Sequence, residues 1–295
     1  MEDHTAAVKI VSWFLAIVSA GAFVTSLLAS RHLLRRKWLS FTLLFSALAS
    51  NIGACVAVSF AATYGLGKSP KACSGGSLSA MQKAFYTVEI LQALTLGLGK
   101  LSLVALFALL LSPNKLKRII ISITTVLGLW TASMMVATAA QCSAPNVWDL
   151  AHGSCIDVAA LWRYWGATNI LIEALMLGTV VFVVSRLHMA FWTQAIVIAC
   201  FSARVVDIGV TAVQLNYSQA FYARGCDLQL QLWPWAMCGQ VLQTVTIISA
   251  SIPHLRDFLE SFPSGMLRLH EMDSKTKLTD SGARTTLKSP IRSQH

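Results

Sequence analysis

One long apolar stretch, residues 81–111, constrains the fold of this chain more than any other feature. About 20 apolar residues are enough to cross the hydrocarbon core of a bilayer as a helix, and this stretch is longer. It nevertheless contains Lys100, and a charge at the bilayer centre costs about 3 kcal/mol on insertion scales. The stretch is therefore predicted to be a membrane-spanning helix whose lysine faces other helices.

Glu89, on the same predicted helix, cannot neutralise that lysine. It precedes Lys100 by eleven residues. That separation is close to three helical turns, so both charges point to one side but lie roughly 16 Å apart along the axis. Each charge then needs a partner on another helix, which predicts a bundle rather than a single membrane anchor.

The composition agrees with a membrane protein that crosses the bilayer several times. The chain has 295 residues, of which 55% are hydrophobic and 12% are charged, whereas about a quarter of the residues in soluble domains are charged. The net charge of +10 comes mostly from short loops and the tail, where basic residues set orientation, so nucleic acid is not an expected partner. The N-terminus lacks the basic region of a secretory signal, so the first apolar segment is expected to be retained.

The hydropathy pattern divides the chain into seven apolar segments, each bounded by polar or turn residues. Each segment is long enough to cross the bilayer as a helix. The sequence therefore predicts an all-α membrane fold, a seven-helix bundle, with spans at residues 8–30, 38–64, 81–111, 119–140, 162–184, 190–215 and 233–252.

The segment after the seventh span is predicted to leave the membrane at Pro253. Residues 254–262 alternate polar and apolar faces at helical spacing, which predicts a short helix on the inner surface. Residues 263–295 are rich in Ser, Thr, Lys and Arg and poor in core-forming side chains, so they are predicted to be disordered. The sequence thus predicts one membrane domain over residues 1–262 and a cytosolic tail over residues 263–295.

Basic residues are concentrated in alternate loops, which predicts the orientation. The loops after the first, third and fifth spans carry Arg31, Arg35, Arg36, Lys37, Lys115, Lys117, Arg118 and Arg186. Because positively charged loops stay in the cytosol, the N-terminus is predicted to be outside and the C-terminus in the cytosol. Tryptophans near the span ends are predicted to lie at the membrane interface, namely Trp38, Trp162, Trp165, Trp233 and Trp235.

The cysteines separate into two groups under this topology. Cys55, Cys200 and Cys238 fall inside spans, where a thiol behaves as a small apolar side chain. The four loop cysteines, all on the predicted outer and oxidising face, are Cys73, Cys142, Cys155 and Cys226. At least one disulfide is expected among them, and the three possible pairings stay open. Asn216 begins a glycosylation sequon on the same face, but it abuts the sixth span, so an unmodified helix end is the simpler interpretation.

Ionisable and amide side chains recur in the middle of the predicted spans. The set comprises Glu89, Lys100, Glu173, Arg204, Asp207, Gln240 and Gln243. Because Arg204 and Asp207 are three residues apart on one helix, they are predicted to pair there, which leaves Glu173 as the partner of Lys100. Such residues hold helices together in lipid or form a ligand pocket, and both interpretations stay open.

Several short patterns occur in an order that is typical of one protein family. They are Tyr64-Gly65-Leu66-Gly67, Glu89-Ile90-Leu91, Lys100-Leu101-Ser102, Cys142-Ser143-Ala144-Pro145, Asn169 through Glu173, and Pro253-His254-Leu255-Arg256. Together they resemble the fungal rhodopsin-like domain family, which includes Pth-eleven-type receptor-like proteins and satratoxin-cluster membrane proteins. In the seventh span this family shows a Glu, where the present chain offers only Gln240 and Gln243.

The resemblance implies a receptor-like protein of the plasma membrane or an endomembrane that binds a small apolar or amphipathic molecule within the helix bundle. No Asp/Glu-Arg-Tyr sequence ends the third span, so coupling to a heterotrimeric G protein has no support from motifs. No lysine lies between Trp233 and Pro253, where a retinal protein carries its Schiff base. Retinal is therefore not expected, and no cofactor is predicted.

The alternative function is a membrane-embedded enzyme or accessory protein of a fungal secondary-metabolite pathway of the mycotoxin type, which the satratoxin-cluster resemblance implies. No histidine falls inside a predicted span and no metal-binding motif is present. Acid–base chemistry by Glu89, Glu173 or Asp207 is then the remaining catalytic option. Whether the protein is an enzyme stays open, and a transporter is disfavoured because the spans show no internal repeat.

Overall fold

The fold is that of a bundle of long helices. The structure is a computed structural model that describes residues 4–30, 34–68, 75–110, 114–143, 145–150, 155–185, 191–222 and 227–254. Within these residues the chain forms seven long helices, and a short 3₁₀ helix, Ser218–Tyr222, follows the sixth. The helices are α1 (Thr5–Ala29), α2 (Leu34–Thr63), α3 (Gly75–Leu110), α4 (Asn114–Ala139), α5 (Val158–Ser185), α6 (Phe191–Tyr217) and α7 (Asp227–His254).

Each predicted span falls on one of these helices, so the predicted seven-helix membrane fold is confirmed. Among the described residues, α1 to α4 and α7 are long and apolar enough to cross a membrane. The helix starts differ most from the prediction, because polar first turns belong to the helices. At α5, for example, the Asp157 carboxylate accepts the Ala160 N–H at 2.9 Å, so the helix begins at Val158 rather than at Trp162.

Helix α1 has one polar face and one lipid-facing side. Ser12, Ser19 and Ser26 recur every seven residues and are all buried, and such small side chains let neighbouring helices approach closely. Ser19 also accepts a hydrogen bond from the Asn51 amide of α2 at 2.8 Å. On the other side, large apolar side chains such as Ile10 are exposed, as expected for a helix at the edge of a bundle in lipid.

The end of the bundle that carries the N-terminus is closed by backbone contacts. Gly65 and Gly67 have positive φ angles of 123° and 84°, a conformation that glycine adopts without a steric cost. The Gly67 N–H donates to the Gln229 carbonyl at 2.8 Å, and the Gly67 carbonyl accepts the His4 N–H at 3.3 Å. The His4 ring stacks on Trp233, with 4.7 Å between ring centroids. The N-terminus, the turn after α2 and the start of α7 are therefore joined at this end.

A disulfide also lies at this end of the bundle. Cys142 follows α4, Cys155 precedes α5, and the two residues form a disulfide bond. The expectation of at least one disulfide is therefore confirmed, and this finding selects one of the pairings that the sequence left open. Cys73 and Cys226 lie outside the described residues.

Aromatic rings fill the core below this end. Trp162 meets Trp235 at 4.7 Å and Trp165 at 5.1 Å between centroids, and Trp235 meets Phe85 at 5.6 Å and Phe221 at 5.2 Å. Of the predicted interfacial tryptophans, Trp38 is 63% exposed, whereas Trp162, Trp165 and Trp235 are buried. Burial shows that these three rings point into the bundle, and their depth at the membrane interface stays a prediction.

At the opposite end of the bundle, His254 links the end of α7 to the end of α1 and to α2. Its carbonyl accepts a hydrogen bond from Ser30 at 2.8 Å, and its Nε2 lies 3.2 Å from the Ser40 hydroxyl. Ser40 also donates to the Ser102 carbonyl at 2.8 Å. The expectation that no histidine lies inside a span was wrong, because α7 continues to His254, whose buried ring contacts Ser40 and Phe41 of α2.

A buried charged cluster between four helices

Three charged side chains meet in the middle of the bundle. The Lys100 ammonium on α3 and the Arg204 guanidinium on α6 both donate to the carboxylate of Glu173 on α5, the second at 2.5 Å. Lys100 and Glu173 are 0% exposed, and Arg204 is buried as well. Glu173 therefore joins three helices, and the structure brings Lys100 and Glu173 together as their predicted depths require.

Asp207 bonds to a hydroxyl group of α7 rather than to Arg204, its neighbour on α6. Its two carboxylate oxygens each lie 3.4 Å from the Thr246 hydroxyl of α7. The predicted Arg204–Asp207 pair within α6 is not what forms, since the guanidinium reaches across to Glu173. The physical reason is that a buried carboxylate has two oxygens to satisfy, and Lys100 supplies a donor to only one of those of Glu173.

With both carboxyl groups ionised, the charges of this cluster balance. Lys100 and Arg204 supply two cations, and Glu173 and Asp207 supply two carboxylates. Burial of charge is tolerable only where opposite charges and hydrogen bonds compensate one another. The four residues, with Thr246, form what we call the charged cluster, which links α3, α5, α6 and α7.

Two buried amides on α7 lie beside the charged cluster. Gln243 is three residues from Thr246, so both lie on one helical face, and Gln240 is one turn further from the cluster. Gln243 is 0% exposed, and neither its amide nitrogen nor its amide oxygen has a hydrogen-bond partner among the described residues. The same holds for the Gln240 amide nitrogen. Because an unsatisfied buried amide group costs about 1 to 3 kcal/mol, this side of the cluster is suited to a polar guest.

Glu89 lies in a separate polar site, nearer the disulfide end. Its carboxylate accepts hydrogen bonds from the Gln141 amide at 3.1 Å and from the Trp162 indole at 3.0 Å, and it is fully buried. The structure therefore keeps Glu89 apart from Lys100, as their spacing on α3 predicts. A cavity of about 230 Å³ lies at the same end, lined by Phe221, Tyr222, Asp157 and neighbouring residues.

Two glycines bring α3 close to its neighbours. A side chain at Gly97 would collide with Thr131 of α4, and one at Gly99 would collide with the Cγ2 methyl of Thr246 on α7. Glycine, which has no Cβ, lets either a helix or a ligand come close to the backbone. In the structure helices occupy both positions, and Gly99 lets α3 approach Thr246, the residue that bonds to Asp207.

Several polar residues of this interior were not singled out from the sequence. They are Gln92, Gln141, Thr211, Gln214 and Thr246, all buried. A signal existed for two of them, because Gln92 follows Glu89 by three residues and Thr211 follows Asp207 by four. Side chains at these spacings share a helical face. Asn216, the glycosylation candidate, is exposed on the last turn of α6, a position that fits both a modified asparagine and the unmodified helix end that the sequence favours.

Comparison with known proteins places this architecture in one family. No curated protein and no solved structure matches the chain. The family described as the fungal rhodopsin domain matches residues 7–261, which include all seven helices but for the first two residues of α1. The protein is therefore an integral membrane protein that belongs to the fungal rhodopsin domain family.

Proposed function

We propose that this protein is receptor-like and binds a small apolar or amphipathic molecule within its helix bundle, at the charged cluster. The observation that carries the proposal is Gln243, a fully buried amide beside Asp207 and Thr246 with neither of its polar atoms paired among the described residues. Ligand sites are mostly apolar with a few convergent polar groups that fix orientation. Gln243, Asp207 and Thr246 supply polar groups of this kind in the buried interior.

The charges around Gln243 indicate that the polar group of the ligand is neutral. Because Lys100 and Arg204 already balance Glu173 and Asp207, an added charge would be left without compensation in the membrane interior. A hydroxyl or carbonyl group would instead bond to Gln243 or Asp207 and leave the balance intact. An apolar skeleton would lie among the helices.

The proposal is tested by thermal unfolding of the purified protein in nanodiscs with four probes that share one skeleton, namely decane, decanol, decylamine and decanoate. A ligand at 100 times its Kd stabilises a protein by about 2.7 kcal/mol. We expect decanol to raise the Tm of the wild type and to raise that of Gln243→Met less. Equal shifts for both proteins with every probe would show partition into lipid and would contradict a site at Gln243.

A second candidate function, a membrane-embedded enzyme or accessory protein of a secondary-metabolite pathway, is favoured by one observation. Glu89 is a fully buried carboxyl group whose described hydrogen-bond donors, Gln141 and Trp162, are both neutral. A carboxyl group in such surroundings is suited to act as a general acid or base. Turnover of a pathway intermediate that is lost in Glu89→Gln but kept in Gln243→Met would favour this function over the receptor-like one.

A further inference from the structure

From Glu89 toward the middle of the bundle, buried polar side chains follow one another at steps of one hydrogen bond or one helical turn. Gln92 is one turn further along α3, and its amide nitrogen donates to the Gln214 side-chain oxygen of α6 at 3.2 Å. The Gln214 amide in turn donates to the Trp235 carbonyl of α7 at 3.3 Å. Both glutamines are buried. A layer of amides therefore follows Glu89 toward the middle of the bundle.

The next layer lies against α7 and α5. A side chain at Gly239 would collide with Gln92 and Gln214, so the α7 backbone lies directly on the amide pair. Gln243 is four residues further along this face of α7. Across the bundle, the Asn169 amide of α5 donates to the Thr211 hydroxyl of α6 at 3.1 Å.

The last step reaches the charged cluster. Thr211 is four residues from Asp207 and donates to its backbone carbonyl at 2.7 Å. Gln243 is three residues from Thr246, which bonds to the Asp207 carboxylate. Every step from Glu89 to Asp207 is thus a hydrogen bond or one helical turn. We call the residues between these two carboxyl groups the polar file. They are Gln92, Gln214, Asn169, Thr211 and Gln243.

Several atoms of the polar file need partners that the described residues do not supply. They are the side-chain oxygens of Gln92 and Asn169 and both polar atoms of the Gln243 amide. All three residues are at most 1% exposed. Buried polar groups of native proteins are satisfied by protein or by ordered water, and one internal water makes about three hydrogen bonds as donor and acceptor. Because water both donates and accepts, a chain of water would satisfy amide oxygens and an amide nitrogen alike.

We propose that the polar file holds a chain of internal water that opens the charged cluster to protons and small cations from the Glu89 end of the bundle. In a proton transfer the O–H bond of the Glu89 carboxyl group breaks, each water passes one proton on as it receives another, and an O–H bond forms on Asp207. One positive charge moves and nothing is oxidised or reduced. The Glu89 carboxylate that this step leaves at the entrance favours cations over anions.

The test uses Ag⁺, an ion of about the size of a water molecule. Ag⁺ binds (caps) a thiol and so blocks its later alkylation by N-ethylmaleimide. Gln243→Cys is prepared with Cys238→Ala and reconstituted in nanodiscs. Native Cys55 of α2, a buried free thiol outside the polar file, is the matched control in the same molecule. Mass spectrometry after denaturation and alkylation gives the capping rate of each thiol.

We expect the thiol at position 243 to be capped at least about tenfold faster than Cys55. Equal rates would show a dry interior and would overturn the proposal. Thr211→Cys, a conservative change in the same file, gives a second reading if Gln243→Cys does not fold. Adding Glu89→Leu should slow capping at position 243 toward the Cys55 rate, and an unchanged rate would overturn entry from the Glu89 end.

Discussion

Lys100 of α3 donates directly to the carboxylate of Glu173 on α5, although 73 residues separate them along the chain. Lipid offers no hydrophobic drive for helix association, so polar contacts of this kind fix which helices meet and at which height. Arg204 adds a second cation to the same carboxylate. Glu173 is therefore the residue on which the charged cluster depends most, because its removal leaves two cations facing each other.

Glu173→Gln should destabilise the protein more than Lys100→Met. Breaking a buried ion pair costs about 3 to 5 kcal/mol, mainly because the remaining charge is uncompensated. In Lys100→Met, Arg204 still bonds to the Glu173 carboxylate, whereas in Glu173→Gln both cations lose the carboxylate to which they bond, and only Asp207 remains to balance them. We expect the double variant to be more stable than Glu173→Gln alone. The free energy of unfolding in SDS and the monodisperse yield in detergent measure these effects.

The control for this comparison is Lys83→Met, which removes a lysine of the same helix outside the charged cluster. The Lys83 ammonium lies 4.8 Å from the centroid of the Trp148 ring, a contact worth about 0.5 to 1 kcal/mol where it is exposed. Its effect should be small and should add to that of Glu173→Gln. A Lys100→Met effect that is equally additive would show that Lys100 and Glu173 do not interact.

Much of this arrangement could be predicted from the sequence, because two quantities are readable there. Apolar length gives the spans, and position within a span gives depth. The depths of Lys100 and Glu173 within their spans predicted that the two residues lie at one level of the membrane. The loop cysteines all fall on one predicted face, which led to the expectation of a disulfide, and the Cys142–Cys155 bond fulfils it.

What could not be predicted depends on the direction of side chains around each helix. Arg204 and Asp207 are neighbours on α6, yet the arginine reaches Glu173 and Asp207 bonds to Thr246. Trp162 lies near a helix end, yet its ring packs in the core against Trp235. Rotation about a helix axis is set by packing against all neighbours at once, and an apolar helix in lipid has apolar side chains on every side.

The Cys142–Cys155 disulfide should be seen by mass mapping without reduction. The two residues are 13 apart in the chain, and closing a loop of about 15 residues stabilises a protein by about 3 kcal/mol in the chain-entropy model. Cys142→Ser, Cys155→Ser and the double variant should lower the stability equally, since each breaks the same bond. Recovery of both cysteines as free thiols, or a double variant that loses twice as much, would contradict this pairing.

The N-terminus should be outside and the C-terminus in the cytosol. The basic loops at Arg31 to Lys37 and at Lys115 to Arg118 motivate this orientation. The disulfide supports it, because the bond lies at the N-terminal end of the bundle and disulfides persist on oxidising faces. A protease added to intact cells should cleave a tag at the N-terminus and leave one at the C-terminus. The reverse result would invert the topology.

Gly99→Ala should lower the stability of the bundle, and a second substitution should restore it. A methyl group at position 99 would collide with the Cγ2 methyl of Thr246, while the next atom of that side chain is at 3.9 Å. Overpacking of this kind costs about 1 to 3 kcal/mol. Thr246→Ser removes the colliding methyl group but keeps the hydroxyl group that bonds to Asp207. The double variant should therefore unfold close to the wild-type midpoint.

The matched control for this prediction is Gly21→Ala on α1, where an added methyl group has nothing within 4 Å. It should be neutral or stabilising, because alanine is favoured over glycine in a helix interior by about 1 kcal/mol. Unfolding in SDS, followed by loss of helical circular dichroism, gives the midpoints of all four proteins. Two results would contradict the close contact of α3 with α7 as what holds Thr246 against Asp207. One is a Gly99→Ala midpoint equal to that of Gly21→Ala, and the other is a Thr246→Ser substitution that fails to restore the Gly99→Ala midpoint.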